Sequence, residues 1–219
     1  MAFSLRKIYI LLVHNYILMV LTLNEQKLIA YLWRNYTQQL SINELSKRIY
    51  ITPKGAYNIL TKLEKIGIVT KNKIANASIY QFNYQSQKTK DIVEYALKSE
   101  ESPNSYVKVI EKDLQPLKNI TTTAILFGSI LTKGLQAHDI DLFIIIDEKE
   151  MSSIYKKIKE FETISPKKIH LIIQTNVDMK KNLHKKDPVI IEILQKGHIL
   201  WGYDQLYSFL EMTKNSGDL

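Results

Sequence analysis

The stretch from Leu126 to Ile145 reads LFGSILTKGLQAHDIDLFII. Gly128 and Ser129 follow one apolar run, and Asp139 and Asp141 interrupt a second. Two carboxylates in a run that otherwise wants burial need a physical reason. In a strand, residues two apart face the same side about 6.6–6.8 Å apart, so Asp139 and Asp141 should project together. Like charges so placed repel unless cations sit between them. Oxygen ligands in a chain without cysteine suit Mg²⁺ or Mn²⁺, and a two-ion site holds its metals about 3.5–4 Å apart through shared carboxylates. Upstream, Gly128-Ser129 falls where a strand passes into a helix. Backbone N–H groups point outward there, glycine permits close approach of a phosphate, and Ser129 adds a hydroxyl donor. The pattern predicts a phosphate cradle facing a divalent-metal site, the equipment for moving a nucleotidyl group from a nucleoside triphosphate.

The elements that must position these groups follow from the same half of the chain. TTAILF (122–127) is a short buried strand, a helix starts within Gly128 to Leu135, and DIDLFIII (139–146) is a second strand. EKEMSSIYKKIKEF is an amphipathic helix, KKIHLIIQ a third strand, DPVIIEILQK a helix opened by Pro188, GHILWG a short strand, and a last helix covers about Tyr203–Thr213. This alternation predicts an α/β fold on a mixed sheet.

Strand, Gly-Ser, short helix, then Asp-x-Asp on the next strand resembles the nucleotidyltransferase superfamily that includes DNA polymerase beta and the small minimal nucleotidyltransferases. Phe127, Gly128, Ser129, Gly134, Asp139, Ile140, Asp141 and Leu142 carry the resemblance, which spans about residues 105–202 and includes EILQKGHILWG. It implies that Gly128 and Ser129 hold the triphosphate, ATP in the first instance, and that Asp139 and Asp141 hold the metals and carry catalysis. Lys133 would reach a phosphate or remain a solvated lysine. Active relatives carry a third carboxylate on the third strand. Here that position falls near His170, with Gln174 further on. A neutral imidazole can ligate a metal or accept a proton; the alternative is a strand histidine satisfying local hydrogen bonds. Asp147, Glu148 and Asp178 are the other candidates for the missing acid.

The first part of the chain has a different character. Asn24 is the expected cap of a helix with Leu28, Ile29, Leu32 and Trp33 on one face. Ser41 and Glu44 form a capping box for a two-turn helix. Thr52 caps a third helix, with Pro53 at its first position, Gly67 past its end, and Ala56, Ile59, Leu60, Leu63 and Ile66 as the buried stripe. IVTKNK and SIYQFN, joined by Ile74–Ala77, alternate as a two-stranded ribbon. This order resembles a MarR-like winged helix-turn-helix over about residues 23–83. The resemblance implies that the third helix enters the major groove of double-stranded DNA and presents Lys54, Tyr57, Asn58, Thr61 and Lys62, with Lys71 and Lys73 on the wing. The lysines would meet phosphates, and Asn58 or Tyr57 would reach base edges. A protein-protein module is the other reading.

Charge supports the division. Residues 1–87 hold 11 Lys/Arg against 3 Asp/Glu, whereas residues 88–219 hold 19 of each, so the whole excess of +8 lies in the first two-fifths. Such asymmetry points to a polyanion partner or, failing that, to a solvated basic face. We therefore expect two domains of the 219 residues, a winged helix at 23–87 (three helices plus a β-hairpin) and a nucleotidyltransferase-like domain at 88–219, preceded by an apolar helix or extension at 1–22. That leading segment is too short to span a bilayer and contains His14 and Asn15. It reads as a packing helix or homodimer interface, as a misassigned start before Met19, or as a membrane anchor, the least favoured. The absence of cysteine fits the cytoplasm. The combined expectation is a metal-dependent, DNA-binding nucleotidyltransferase acting on a protein or small-molecule hydroxyl. The alternative is a transcriptional regulator whose transferase domain is inactive and senses nucleotide or pairs subunits.

Overall fold

A computed structural model describes residues 21–74 and 77–215; all of the leading apolar segment but Leu21 and Thr22 lies outside them. The chain forms two compact units that divide between Ala96 and Leu97.

The first unit begins with α1 (Leu23–Arg34), α2 (Ile42–Arg48) and α3 (Pro53–Lys65), followed by β1 (Val69–Ile74) and β2 (Ala77–Phe82). Thr22, not Asn24, caps α1: its hydroxyl accepts from Glu25 N–H while the Glu25 carboxylate accepts from Thr22 N–H. Thr22 prevails because the box needs an acid three residues on. Ser41–Glu44 forms the second capping box, and Thr52 with Pro53 opens α3. Leu28, Ile29, Trp33, Leu45, Ala56, Leu60 and Leu63 are fully buried between the helices, while Ile66, expected in the stripe, is exposed at the α3 C-cap. β1 and β2 pair antiparallel from Val69↔Phe82 to Ile74↔Ala77, and an isolated bridge joins Ser41 to Ile79. α4 (Gln87–Lys98) follows.

Tyr50, between α2 and α3, holds a left-handed backbone (φ 58) with its ring almost wholly in water at 94% exposure. A non-glycine residue pays about 1–2 kcal/mol for that conformation, and an exposed ring recovers little of it. Tyr50→Gly is expected to raise the midpoint of thermal unfolding, read by circular dichroism.

The second unit is built on α5 (Ser105–Asp113), β3 (Thr123–Phe127), α6 (Ile130–Lys133), β4 (Ile140–Ile146), α7 (Met151–Ile164), β5 (Ile169–Thr175), α8 (Asn176–His184), α9 (Pro188–Lys196), β6 (His198–Trp201) and α10 (Tyr203–Asn215). Its sheet has the order β5-β4-β3-β6. β4 runs parallel to β5, and β3 runs antiparallel to β4 and β6, so the sheet is mixed. Leu142, Ile144 and Ile146 pack with α5 and α7 residues in one core, and the intervening Phe143 and Ile145 are equally buried. A strand covered on both faces must be apolar throughout, and Asp141 is the one polar residue of β4. α8 was not foreseen. Thr175 ends β5 and caps α8, sharing a capping box with Asp178. The helix expected from Gly128 is a single α turn, continued by a 3₁₀ turn at Gly134–Gln136.

Candidate active site

The β3-β4-β5 register fixes the site. Phe127, the last residue of β3, pairs with Asp141, and Asp141 pairs with His170 on the other side. One step beyond Phe127 is Gly128, so the Gly-Ser turn, the aspartates and the histidine meet at one end of the sheet. His170 Nδ1 lies 3.1 Å from Asp139 Oδ2 and 3.6 Å from Asp141 Oδ1. One ligand atom from each of the three residues falls within 4.8 Å of the others. The aspartates are half-buried and His170 is exposed.

Gly128 is required here on two counts. Its φ of +72 lies in the region that side chains avoid, and a Cβ would overlap the Asp141 carboxylate, coming within 2.9 Å of its Cγ. Asp141 therefore rests on the bare backbone of the turn and accepts a hydrogen bond from the Ser129 N–H. Burial, and then the neighbouring Asp139, push the Asp141 carboxyl above the usual carboxylate range; His170 and the Ser129 N–H act in the opposite direction. Two crowded carboxylates, with the proton affinity of Asp141 raised, are a donor set that a cation relieves. The oxygen, oxygen and nitrogen donors converging at this end of the sheet fit a divalent ion.

The other acid candidates lie elsewhere. Asp147 and Glu148 follow the far end of β4, about 20 Å along the strand from Asp141. Asp178 sits beyond the far end of β5, hydrogen-bonded to the Thr175 N–H and hydroxyl, which hold its carboxyl below the usual range. Gln174 accepts from Asn182. None of the four joins the cluster, so the third-strand position belongs to His170. Lys133 ends α6, exposed, with no ion pair among the described residues.

Residues 108–206 match the family model Polymerase beta, Nucleotidyltransferase. This nucleotidyltransferase match takes in β3 to β6 and every residue of the cluster. No curated protein matches the chain.

Two positioning residues of the second unit escaped the sequence analysis. Asn104 caps α5 through Val107 N–H, and its amide donates to the carbonyls of Ile130 (3.0 Å) and Leu131 (3.1 Å). It thereby ties α5 to the turn that carries Ser129. Lys167 donates to the carbonyl oxygens of Leu135 (2.8 Å) and Ala137 and stands 5.6 Å from the Tyr106 ring centroid. That anchors the loop leading into Asp139. The capping preference of Asn104 was legible in the sequence; the loop carbonyls it and Lys167 reach were not. Asn104→Ala is expected to cost about 1 kcal/mol through the lost cap alone, with further loss from the unpaired carbonyls, as measured by denaturant unfolding.

In the first unit, Lys54, Tyr57 and Asn58 lie on the exposed face of α3, with the Lys54 ammonium 5.2 Å from the Tyr57 ring centroid. Thr61 is half-buried, and Lys71 and Lys73 are exposed on β1. Lys62 is engaged differently from the expectation: its ammonium is 2.6 Å from Glu25 Oε1, a buried carboxylate. Replacing Lys62 leaves that charge with the Thr22 N–H alone, so Lys62→Ala is expected to lower thermal stability by about 1 kcal/mol, whatever its effect on a partner. Tyr31 of α1, Glu44, Lys47 and Arg48 of α2 and Tyr50 line a cleft of about 530 Å³.

Proposed function

We propose that this chain binds a nucleoside triphosphate through a divalent metal held by Asp139, Asp141 and His170 and transfers its nucleoside monophosphate to a hydroxyl acceptor. The observation that carries this reading is the convergence of the three side chains against the bare backbone of Gly128, within a nucleotidyltransferase family match. A bound metal supplies charge neutralisation of the triphosphate and of the pyrophosphate that leaves. Gly128 leaves room for the Asp141 carboxylate beside the turn, and the Ser129 hydroxyl offers a donor to a phosphate oxygen. Asn104 and Lys167 keep the two flanking loops in register. The test is incubation with α-labelled triphosphates, a divalent metal and protein or small-molecule acceptors. Label transfer should occur with the parent chain and vanish in Asp139→Asn.

The first unit, in this reading, is a winged helix that holds double-stranded DNA. Its three helices, basic two-stranded ribbon and +8 charge support that assignment. Lys54, Asn58, Tyr57 and Thr61 on α3, and Lys71 and Lys73 on β1, form the DNA face; Lys47 and Arg48 at the end of α2 extend it. Affinity for duplex DNA should fall steeply with salt, and the joint replacement of Lys54, Lys71 and Lys73 by alanine should flatten that dependence by about 3 in logarithmic slope. Salt-insensitive binding, or none, would favour a protein-contact module.

A second reading rests on one specific observation. With His170 where relatives carry an acid, the domain can bind nucleotide without turning it over and serve a DNA-bound regulator as its nucleotide sensor. Nucleotide-dependent change in DNA affinity without label transfer would select it. No helix among the described residues is long and apolar enough to cross a membrane. Action in the cytoplasm, as a homodimer, completes the proposal.

A further inference from the structure

We infer that His170 changes the metal choice of this site, making it a Mn²⁺ site that discriminates against Mg²⁺. The inference rests on the metal-and-nucleotide assignment above and deepens it. The strand register sets His170 directly beside Asp141, and its Nδ1 faces both carboxylates at 3.1 and 3.6 Å. The imidazole is thus part of the donor set rather than a neighbour of it. Asp147, Glu148 and Asp178 lie at the opposite end of the sheet, so none of these three completes an all-oxygen set. Among the described residues, this is the single cluster with three such donors.

The chemistry follows from the donors. Mg²⁺ demands near-octahedral oxygen ligation and gains from each added negative charge. Exchanging an anionic oxygen for a neutral nitrogen removes both advantages. Imidazole nitrogen binds first-row transition ions more strongly than it binds Mg²⁺. Among these, Zn²⁺ settles into four-coordinate sites rich in nitrogen or sulfur, whereas a site with two carboxylates, one imidazole and open positions for phosphate oxygens matches the oxygen-rich, six-coordinate habit of Mn²⁺. His170 is also cheap to employ in this way. Its side chain is 64% exposed, so no packed core has to move when it turns to a ligand.

The experiment uses the full chain stripped of metal with a chelator. Mn²⁺ and Mg²⁺ are titrated separately by calorimetry, and pulsed electron paramagnetic resonance of the Mn²⁺ form detects nitrogen-14 coupling. The parent chain should prefer Mn²⁺ and show the nitrogen signal. His170→Ala should lose the signal and reduce the preference by about tenfold, equivalent to about 1.4 kcal/mol. His170→Asp should lose the signal while gaining Mg²⁺ affinity. Circular dichroism of both variants should match the parent, as expected for an exposed position. Mn²⁺ binding without nitrogen coupling, or an unchanged Mn²⁺ to Mg²⁺ ratio in both variants, overturns the inference. Those outcomes are separable from failure of the proposed function, which would show as nitrogen-coupled Mn²⁺ that confers no nucleotide affinity.

Discussion

Gly128→Ala is expected to eliminate metal-dependent nucleotide binding and to destabilise the second unit. The backbone at this position is left-handed (φ +72), which alone costs an alanine about 1–2 kcal/mol. The larger effect is local. The new Cβ would overlap the Asp141 carboxylate, which must swing away from both the Ser129 N–H and His170. One methyl group thereby dismantles the contact between the turn and the acids. Gly134→Ala is the comparison variant. It also has positive φ (+52), but its Cβ would meet the Asn104 amide at 3.1 Å and leave Asp141 untouched. Denaturant unfolding should show a loss of stability in both variants, with nucleotide binding lost in Gly128→Ala and only weakened in Gly134→Ala, which reaches the site through Asn104. Equal binding by Gly128→Ala and the parent would mean that Asp141 does not depend on the bare turn.

Asp141→Asn should uncouple stability from binding. In the metal-free protein, burial and Asp139 raise the Asp141 carboxyl above its unfolded value. The folded state then holds the proton more tightly than the unfolded state does. Stability contributed by this group is fully present below the unfolded value and is lost as pH rises through the raised folded value. At neutral pH the ionised Asp141 is therefore a net cost, met only in part by His170 and the Ser129 N–H. Asparagine removes the charge and keeps an acceptor for Ser129. Its metal-free melting temperature at neutral pH should exceed that of the parent, and the difference should shrink as pH falls into the carboxylate range. Adding a divalent metal should stabilise the parent and leave Asp141→Asn unchanged. A destabilised, metal-responsive variant would contradict a charge placed for a cation. Such opposition between folding and function marks sites where local preference is overridden.

Local signals carried the sequence analysis where neighbours decide the structure. Ser41 with Glu44, and Thr52 with Pro53, announce their helices because a cap needs only residues within one turn. The same rule misplaced the α1 cap by two residues: Asn24 is a good capping type, but Thr22 has Glu25 in the reciprocal position. α8 was missed because Thr175 serves as both the last residue of β5 and the cap of the helix, so a strand pattern runs directly into it. Its polar sequence, NVDMKKNLH, buries only Met179 and Leu183 and gives little periodicity. Strand patterning put Asp141 at the end of β4, while Asp139, expected in the same strand, lies in the bend that enters it; the proximity of the Gly-Ser turn follows from the strand-turn-strand order. What could not be read locally were the long-range ties. Lys62 to Glu25, Asn104 to Ile130 and Lys167 to Ala137 join residues 37, 26 and 30 positions apart. Exposure also depends on the fold: Ile66 completes a helical stripe on paper but falls at the cap, beyond the cover of its neighbours.

The most direct measurement is calorimetric titration of the metal-loaded chain with each ribonucleoside triphosphate, beside the variant carrying both Asp139→Asn and Asp141→Asn. The parent should bind at least one triphosphate only when a divalent metal is present, and the double variant should bind none. Triphosphate binding that is unchanged in the double variant, or that persists undiminished in chelator, would contradict the assignment of Asp139 and Asp141 to a metal-nucleotide site.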